Sequence, residues 1–229
     1  MNEARRWRRW RALFLGTLLA AMLMVPLTIG TVSALSWNNE TVDTAGDVGE
    51  HSSLALDGAG NPRISYYDGS NYDLKYAWKD GSGWHTETAD TDGDVGAYTS
   101  LALDGAGNPR ISYFDYSNYD LKYAWKDGSG WHNTTVDTAD IVGLFSSLAL
   151  DGAGNPRIGY YDSSNGHLKY AWKDGSGWHT EPVDEAGDVG WYSSLALDGA
   201  GNPRIGYCDS SNGNLKYAWK DGSGWHTEP

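Results

Sequence analysis

The sequence predicts an all-β chain: a β-propeller of four four-stranded antiparallel blades, either closed by itself or an incomplete ring of a larger propeller. Three observations carry this. A 47-residue block is written four times in succession, with Asp57, Asp104, Asp151 and Asp198 opening the same LDGAGNPRI turn. Each block holds four short runs rich in aromatic and β-branched residues, punctuated by Gly, Asn, Asp and Pro. No stretch after residue 36 carries a 3.6-residue apolar period long enough for a helix. A fixed period of this size means one supersecondary unit stacked on its own copies. Four strands joined by tight turns match a propeller blade, and hairpin-length turns oppose the alternative, a parallel solenoid.

Within the first copy the strands read in order. SSLALD (52–57) ends at the Asp-Gly-Ala-Gly-Asn turn. PRISYYD (62–68) starts on a proline, which is tolerated at a first strand position because no ladder donor is lost there. LKYAWKD (74–80) sends Leu74, Tyr76 and Trp78 to one face and Ala77, between lysine stems, to the other. GWHTETAD (83–90) closes the unit. A blade is covered on both faces by its neighbours, so a large apolar face can meet a flatter one of Ala, Ser and alkyl stems.

The repeats divide the chain into blades at 52–98, 99–145, 146–192 and 193–229, the last one truncated. Residues 37–51 precede them as an orphan outer strand and loop. Residues 1–36 have five arginines, an apolar run and a small-residue stretch, the order of a signal peptide. An uncleaved membrane anchor is the alternative, since the run is nearly long enough to span. The expected location is therefore secreted or cell surface, with membrane contact only through this segment.

The chain has 17 basic and 30 acidic residues, a net of −13. Without the five arginines and one glutamate of the leader, 12 basic and 29 acidic residues remain, a net of −17. Such a surface repels nucleic acid and anionic membranes. The one cysteine, Cys208, stands where other copies have Tyr67, Phe114 and Tyr161, and reads as a buried space-filler.

The run DGSGW resembles the Asp-box turn of sialidase-like propellers, in which an Asp–Gly turn joins the third and fourth strands and a Trp follows. Asp80, Gly81, Gly83 and Trp84 fill the pattern, as do Asp127, Asp174 and Asp221 with their neighbours; the spacing is one residue short and the Thr before Trp is missing. This resemblance implies that SSLALD is the innermost strand and GWHTETAD the outermost. The 47-residue blades of residues 37–229 are also similar in layout to tachylectin-like propeller lectins, which implies sugar sites repeated by blade.

Differences between copies locate a candidate site. The turns DGAGNP and KDGSG are identical in all four, whereas two other loops vary and emerge together at the opposite end of the blades. Binding residues tend to sit on loops carried by a rigid scaffold. Before the inner strand the varying residues include His51, Tyr98, Phe145, Tyr192 and Trp191; between the second and third strands they include Tyr72 and Tyr119, with Asn71, Asn118, Asn165 and Asn212 as polar partners. Aromatic faces beside amide and carboxylate groups suit sugar rings and their hydroxyls. The alternatives are that these loops vary because they are exposed, and that the asparagines serve left-handed turn geometry.

Other motifs carry less. Asp90-Thr91-Asp92-Gly93-Asp94 lacks the bidentate Glu of a calcium loop, so no metal is expected, and no cofactor motif is present. His85, His132, His179 and His226 recur one per blade and do not converge. A sialidase-like hydrolase would need an asymmetric constellation, but Arg63, Arg110, Arg157 and Arg204 share one repeat position. The expectation is a non-enzymatic binding or adhesion propeller with glycan as first-choice ligand. A structural surface repeat, or a fragment of a larger surface protein, is the alternative, and self-association through open blade edges is a further expectation.

Overall fold

The computed structural model describes residues 36–228. Residues 1–35, on which the signal reading falls, lie outside the described residues. Contacts divide the chain at Asn39; on the N-terminal side Ser36 to Asn39 are exposed and without regular structure.

The larger unit holds sixteen strands in four sheets, each in simple up-and-down order. Blade 1 comprises β1 (Val48–Leu56), β2 (Pro62–Asp68), β3 (Asp73–Asp80) and β4 (Gly83–Asp90). Blade 2 comprises β5 (Val95–Leu103), β6 (Pro109–Asp115), β7 (Asp120–Asp127) and β8 (Gly130–Asp137). Blade 3 follows as β9 (Val142–Leu150), β10 (Pro156–Asp162), β11 (His167–Asp174) and β12 (Gly177–Asp184). Blade 4 is β13 (Val189–Leu197), β14 (Pro203–Asp209), β15 (Asn214–Asp221) and the shorter β16 (Gly224–Glu228). The first strands β1, β5, β9 and β13 pack side by side around the axis and the fourth strands lie outermost. No comparable packing joins β13 back to β1, so the described residues form an open arc.

The core is three blade–blade interfaces. In the first, Leu74 and Tyr76 of blade 1 enter a cluster with Val95, Leu101, Ile111, Tyr113 and Ala124 of blade 2. The same positions build the second and third interfaces. The large alternate residues of each third strand thus meet a face of the next blade where one Ala is flanked by Val, Ile and Tyr, rather than the flatter face of small residues and alkyl stems that the sequence suggested; each fully buried Leu contributes about 1.5–3 kcal/mol. Gly96 shows how close the approach is. A Cβ there would meet Leu74 Cα at 2.7 Å, and its φ of +109° further selects glycine.

Buried polar groups follow the same repeat. Asp90 accepts from Tyr113 at 2.6 Å and from Lys122 at 2.6 Å, both on the next blade. Asp137 and Asp184 do so for Tyr160 with Lys169 and Tyr207 with Lys216. Burial raises their pKa, but the ammonium and phenol donors win and hold Asp137 and Asp184 below the usual carboxylate range.

Two expectations need correction. The inner strand begins at Val48 rather than at Ser52, because residues 49–51 form a bulge within β1 instead of a loop: the register shifts between Val48, Glu50 and Ser53. Gly49 at φ +104° and His51 at φ +53° supply the left-handed backbone that lets the strand continue through it. Residues Trp37 to Asp43 also form no strand. Glu40 and Asp43 nevertheless take over the side-chain roles of an outer strand. Asp43 accepts from Tyr66 and Lys75 as Asp90 does from Tyr113 and Lys122, and Glu40 bonds Lys79 and Trp84. Without a third strand beside it among the described residues, the segment makes these contacts without a ladder.

Candidate functional site

Alternate connections of an up-and-down sheet emerge at opposite ends, and the varying segments do share one end. Gly69 N donates to Asp47 O at 2.8 Å and Asp47 N donates to Ser70 Oγ at 2.7 Å, tying the two loops of blade 1 together. The next blade is fastened to the same loop, where Val95 N donates to Tyr72 O at 2.9 Å.

At this end the four bulge residues meet. His51 and Tyr98 have ring centroids 4.4 Å apart, Tyr98 and Phe145 4.7 Å, and Phe145 and Tyr192 4.6 Å. One aromatic per blade thus forms a continuous row along the inner strands. All four hold φ between 51° and 53°, a region that costs a non-glycine residue of order 1 kcal/mol. The row runs from half-buried His51, Tyr98 and Phe145 to Tyr192, which is 67 % exposed. Burial pushes the His51 pKa down, against a smaller opposing pull from Glu50.

Trp191 widens the row at its blade-4 end. Its ring lies 5.3 Å from Phe145 and 5.1 Å from Tyr161, and its indole N–H donates to Asp188 at 2.8 Å. Tyr116, not singled out by the sequence pattern, packs 6.5 Å from Tyr98 and 4.9 Å from Phe114, and its hydroxyl is pushed up to about 12 by burial and by Tyr98. Its signal was available: it is the aromatic at a loop position held by Gly69, Ser163 and Ser210 in the other copies.

The second loop separates into two roles. Tyr72 and Tyr119 stand outward, about half exposed, at φ 65° and 64°. The matching residues of blades 3 and 4 are Gly166 and Gly213, at φ 71° and 69°. The left-handed position therefore belongs to the tyrosine or glycine and not to the asparagine before it. Asn71, Asn118, Asn165 and Asn212 instead donate their side-chain amides to Asp68, Asp115, Asp162 and Asp209. Their donors are committed to holding the turn, and the aromatic groups beside them stand outward.

The opposite end holds grooves between successive DGAG turns, of 560 Å³ beside Asp151, Arg157 and Asp198 and 510 Å³ beside Asp104, Arg110 and Asp151. Their polar groups are already used. Asp151 accepts from Ala153 N, Asn155 N, the Asn155 amide and Arg157 Nη2. Each repeat arginine is paired this way within its own blade, so the four do not gather on one anion. His85, His132, His179 and His226 likewise sit on their own Asp and stack on Trp78, Trp125, Trp172 and Trp219. Among the described residues no group of three or more His, Cys, Asp or Glu side chains could hold a metal ion. Asp94 of the calcium-like stretch accepts from Tyr67. Cys208 is only half-buried rather than a buried space-filler, its face being uncovered by any other blade among the described residues.

The molecule is a β-propeller arc. No protein-family description and no curated protein sequence matches the chain. Among solved structures it is similar to the Hadza microbial sialidase Hz136, with a TM-score of 0.55 at 14 % identity over 78 % of this chain and 46 % of that one. It is also similar to the PL25 ulvan lyase, a polysaccharide lyase bound to -[GlcA(1-4)Rha3S]-, with a TM-score of 0.53 at 14 % identity over 84 % of this chain and 59 % of that one. The chain thus spans about half the length of these structures. At this identity the likeness shows the shared propeller fold, with repeated four-stranded blades.

Proposed function

We propose that this protein is an exported, non-enzymatic propeller that binds glycans along the end carrying the varying loops. The observation that carries the reading is the row His51–Tyr98–Phe145–Tyr192, one ring per blade at 4.4–4.7 Å spacing. Rings held in strained backbone and flanked by exposed Tyr72 and Tyr119 offer apolar faces to sugar C–H groups. Glu50, exposed at the same rim, offers acceptors to hydroxyls. Two proteins that share its fold are named for acting on carbohydrate, which is consistent with this choice of ligand class.

A glycan array on the chain tests it. Binding that weakens at least tenfold in Tyr98→Ala and Tyr192→Ala supports the reading, and a blank array overturns it. A structural surface repeat is the second reading, favoured by the commitment of the loop asparagines to their own turns.

A further inference from the structure

The two ends of the arc are complementary, position by position. At the three internal interfaces Leu74, Leu121 and Leu168 are fully buried against the following blade, whereas their blade-4 counterpart Leu215 is 81 % exposed. Tyr217 is 41 % exposed where Tyr76, Tyr123 and Tyr170 are each 4 % exposed. On blade 1 the receiving surface is equally open: Leu54 is 62 % exposed, against 7 % for Leu101 and 8 % for Leu148. The glycines that admit the incoming leucine tell the same story. Gly96, Gly143 and Gly190 face leucine Cα atoms at 2.7–2.8 Å, while Gly49 faces nothing within 4 Å. In front of Gly49 is a 210 Å³ pocket lined by Val42, Val48, Ile64 and Tyr66. That is the place Leu74 fills on blade 2.

The polar contacts are complementary as well. Ser53, Ser100 and Ser147 each accept from a backbone N–H of the next blade, at Leu101, Leu148 and Leu195, leaving Ser194 and Leu54 N as the matching pair at the two ends. Lys126, Lys173 and Lys220 lie over Trp78, Trp125 and Trp172 of the preceding blade at 5.2–5.4 Å. Trp219 has no such lysine over it among the described residues, and Lys79 covers only Trp84 of its own blade.

We infer that the blade-4 face docks on the blade-1 face of a second copy of this chain, reproducing the internal interface head to tail. Leu215 of one copy enters the pocket at Gly49 of the other, Tyr217 covers Leu54, and Lys79 stands over Trp219. The occupant is a second copy because the exposed blade-4 face repeats the face that blades 1 to 3 already present to exactly this receiving surface. On the receiving copy Asp43 keeps its bonds to Tyr66 and Lys75, and Glu228 of the docking copy takes the place that Glu40 of the receiving copy holds opposite Lys79. Such a contact is heterologous: it uses different surfaces on the two copies and either closes a ring or extends a chain. It does not depend on glycan binding at the loop end.

Sedimentation velocity of the full chain tests this, using the wild type, Leu54→Glu, Leu215→Glu and an equimolar mixture of the two variants. Both positions are exposed, and near-UV circular dichroism checks that each variant keeps its tertiary packing. The wild type is expected to sediment above the monomer mass, and each variant alone as a monomer. The mixture is expected to regain a species of two chains and nothing larger, because only one intact pair of faces remains. A monomeric wild type, a variant that associates like the wild type, or a mixture that stays monomeric would each overturn the inference.

Discussion

Tyr67 donates its hydroxyl to Asp94 across the first blade interface at 2.7 Å, and Tyr161 does the same to Asp188 at 2.6 Å across the third. At the second interface both partners change together: Phe114 stands in the tyrosine position and Ile141 in the aspartate position. A phenol aimed at an isoleucine would lose its acceptor, and an aspartate facing a phenyl ring would lose its donor. The paired exchange keeps each interface internally consistent.

Replacing Phe114 by Tyr alone is therefore expected to destabilise the protein by about 1–3 kcal/mol, the cost of an unsatisfied hydroxyl. Adding Ile141→Asp should recover most of it. Urea unfolding of both single variants and the double variant measures the coupling, and simple additivity would remove the explanation.

A second defect can be repaired. Glu40 and Glu181 each bond a lysine and an indole N–H on the blade they cover, Lys79 with Trp84 and Lys220 with Trp225. The matching residue facing blade 3 is Thr134, and the Trp178 indole N–H is buried without a partner among the described residues; so is that of Trp131, whose matching Glu87 bonds Lys126 instead. Thr134→Glu should supply Trp178 with a partner and stabilise the chain by about 1 kcal/mol, read as a rise in melting temperature.

Tyr72 and Tyr119 occupy backbone positions that glycine takes in blades 3 and 4. Tyr72→Gly and Tyr119→Gly are each expected to leave stability unchanged or raise it by up to about 1 kcal/mol through relief of the left-handed strain. If these rings serve a ligand, the same variants should bind glycan more weakly, a trade of function against stability. Chemical denaturation and binding on the same samples separate the two effects.

Acid should loosen the blade interfaces. Burial raises the pKa of Asp43, but hydrogen bonds from Lys75 and Tyr66 outweigh it and hold the group at about 2, below its ordinary 3.8. A depressed folded value contributes stability that is fully present above the unfolded value and is lost as pH falls through the folded one. Asp137 and Asp184 are lowered in the same direction. The melting temperature should be nearly level above about pH 4 and fall between about pH 4 and 2. Asp137→Asn should flatten that fall at the cost of lower stability at neutral pH.

Much of the blade was legible because it is local. Pro62–Asp68 and Gly83–Asp90 are strands with the bounds their turn residues mark, and the alternation of Leu74, Tyr76 and Trp78 against Ala77 foretold which face packs on which. The bulge at Gly49 to His51 was not legible. A histidine or tyrosine at positive φ goes against local preference, and it persists only because the ladder on either side holds it there. The bonds of the asparagines within their turns were not legible for a related reason, since short-range pattern alone does not tell an amide facing outward from one bonded to the aspartate three residues earlier.

By itself, then, the chain determined its period, its four-stranded unit, the covered and covering faces of each blade and the end at which the copies differ, because these follow from residue alternation and turn chemistry within 47 residues. The tertiary structure decided what depends on packing one copy against the next. That includes the convergence of His51, Tyr98, Phe145 and Tyr192 into one row, the ties from Glu40 and Asp43 to blade 1, and the opening between β13 and β1. Identical units state how a blade is made; the angle and closeness at which they stack set which side chains meet and which faces are left uncovered.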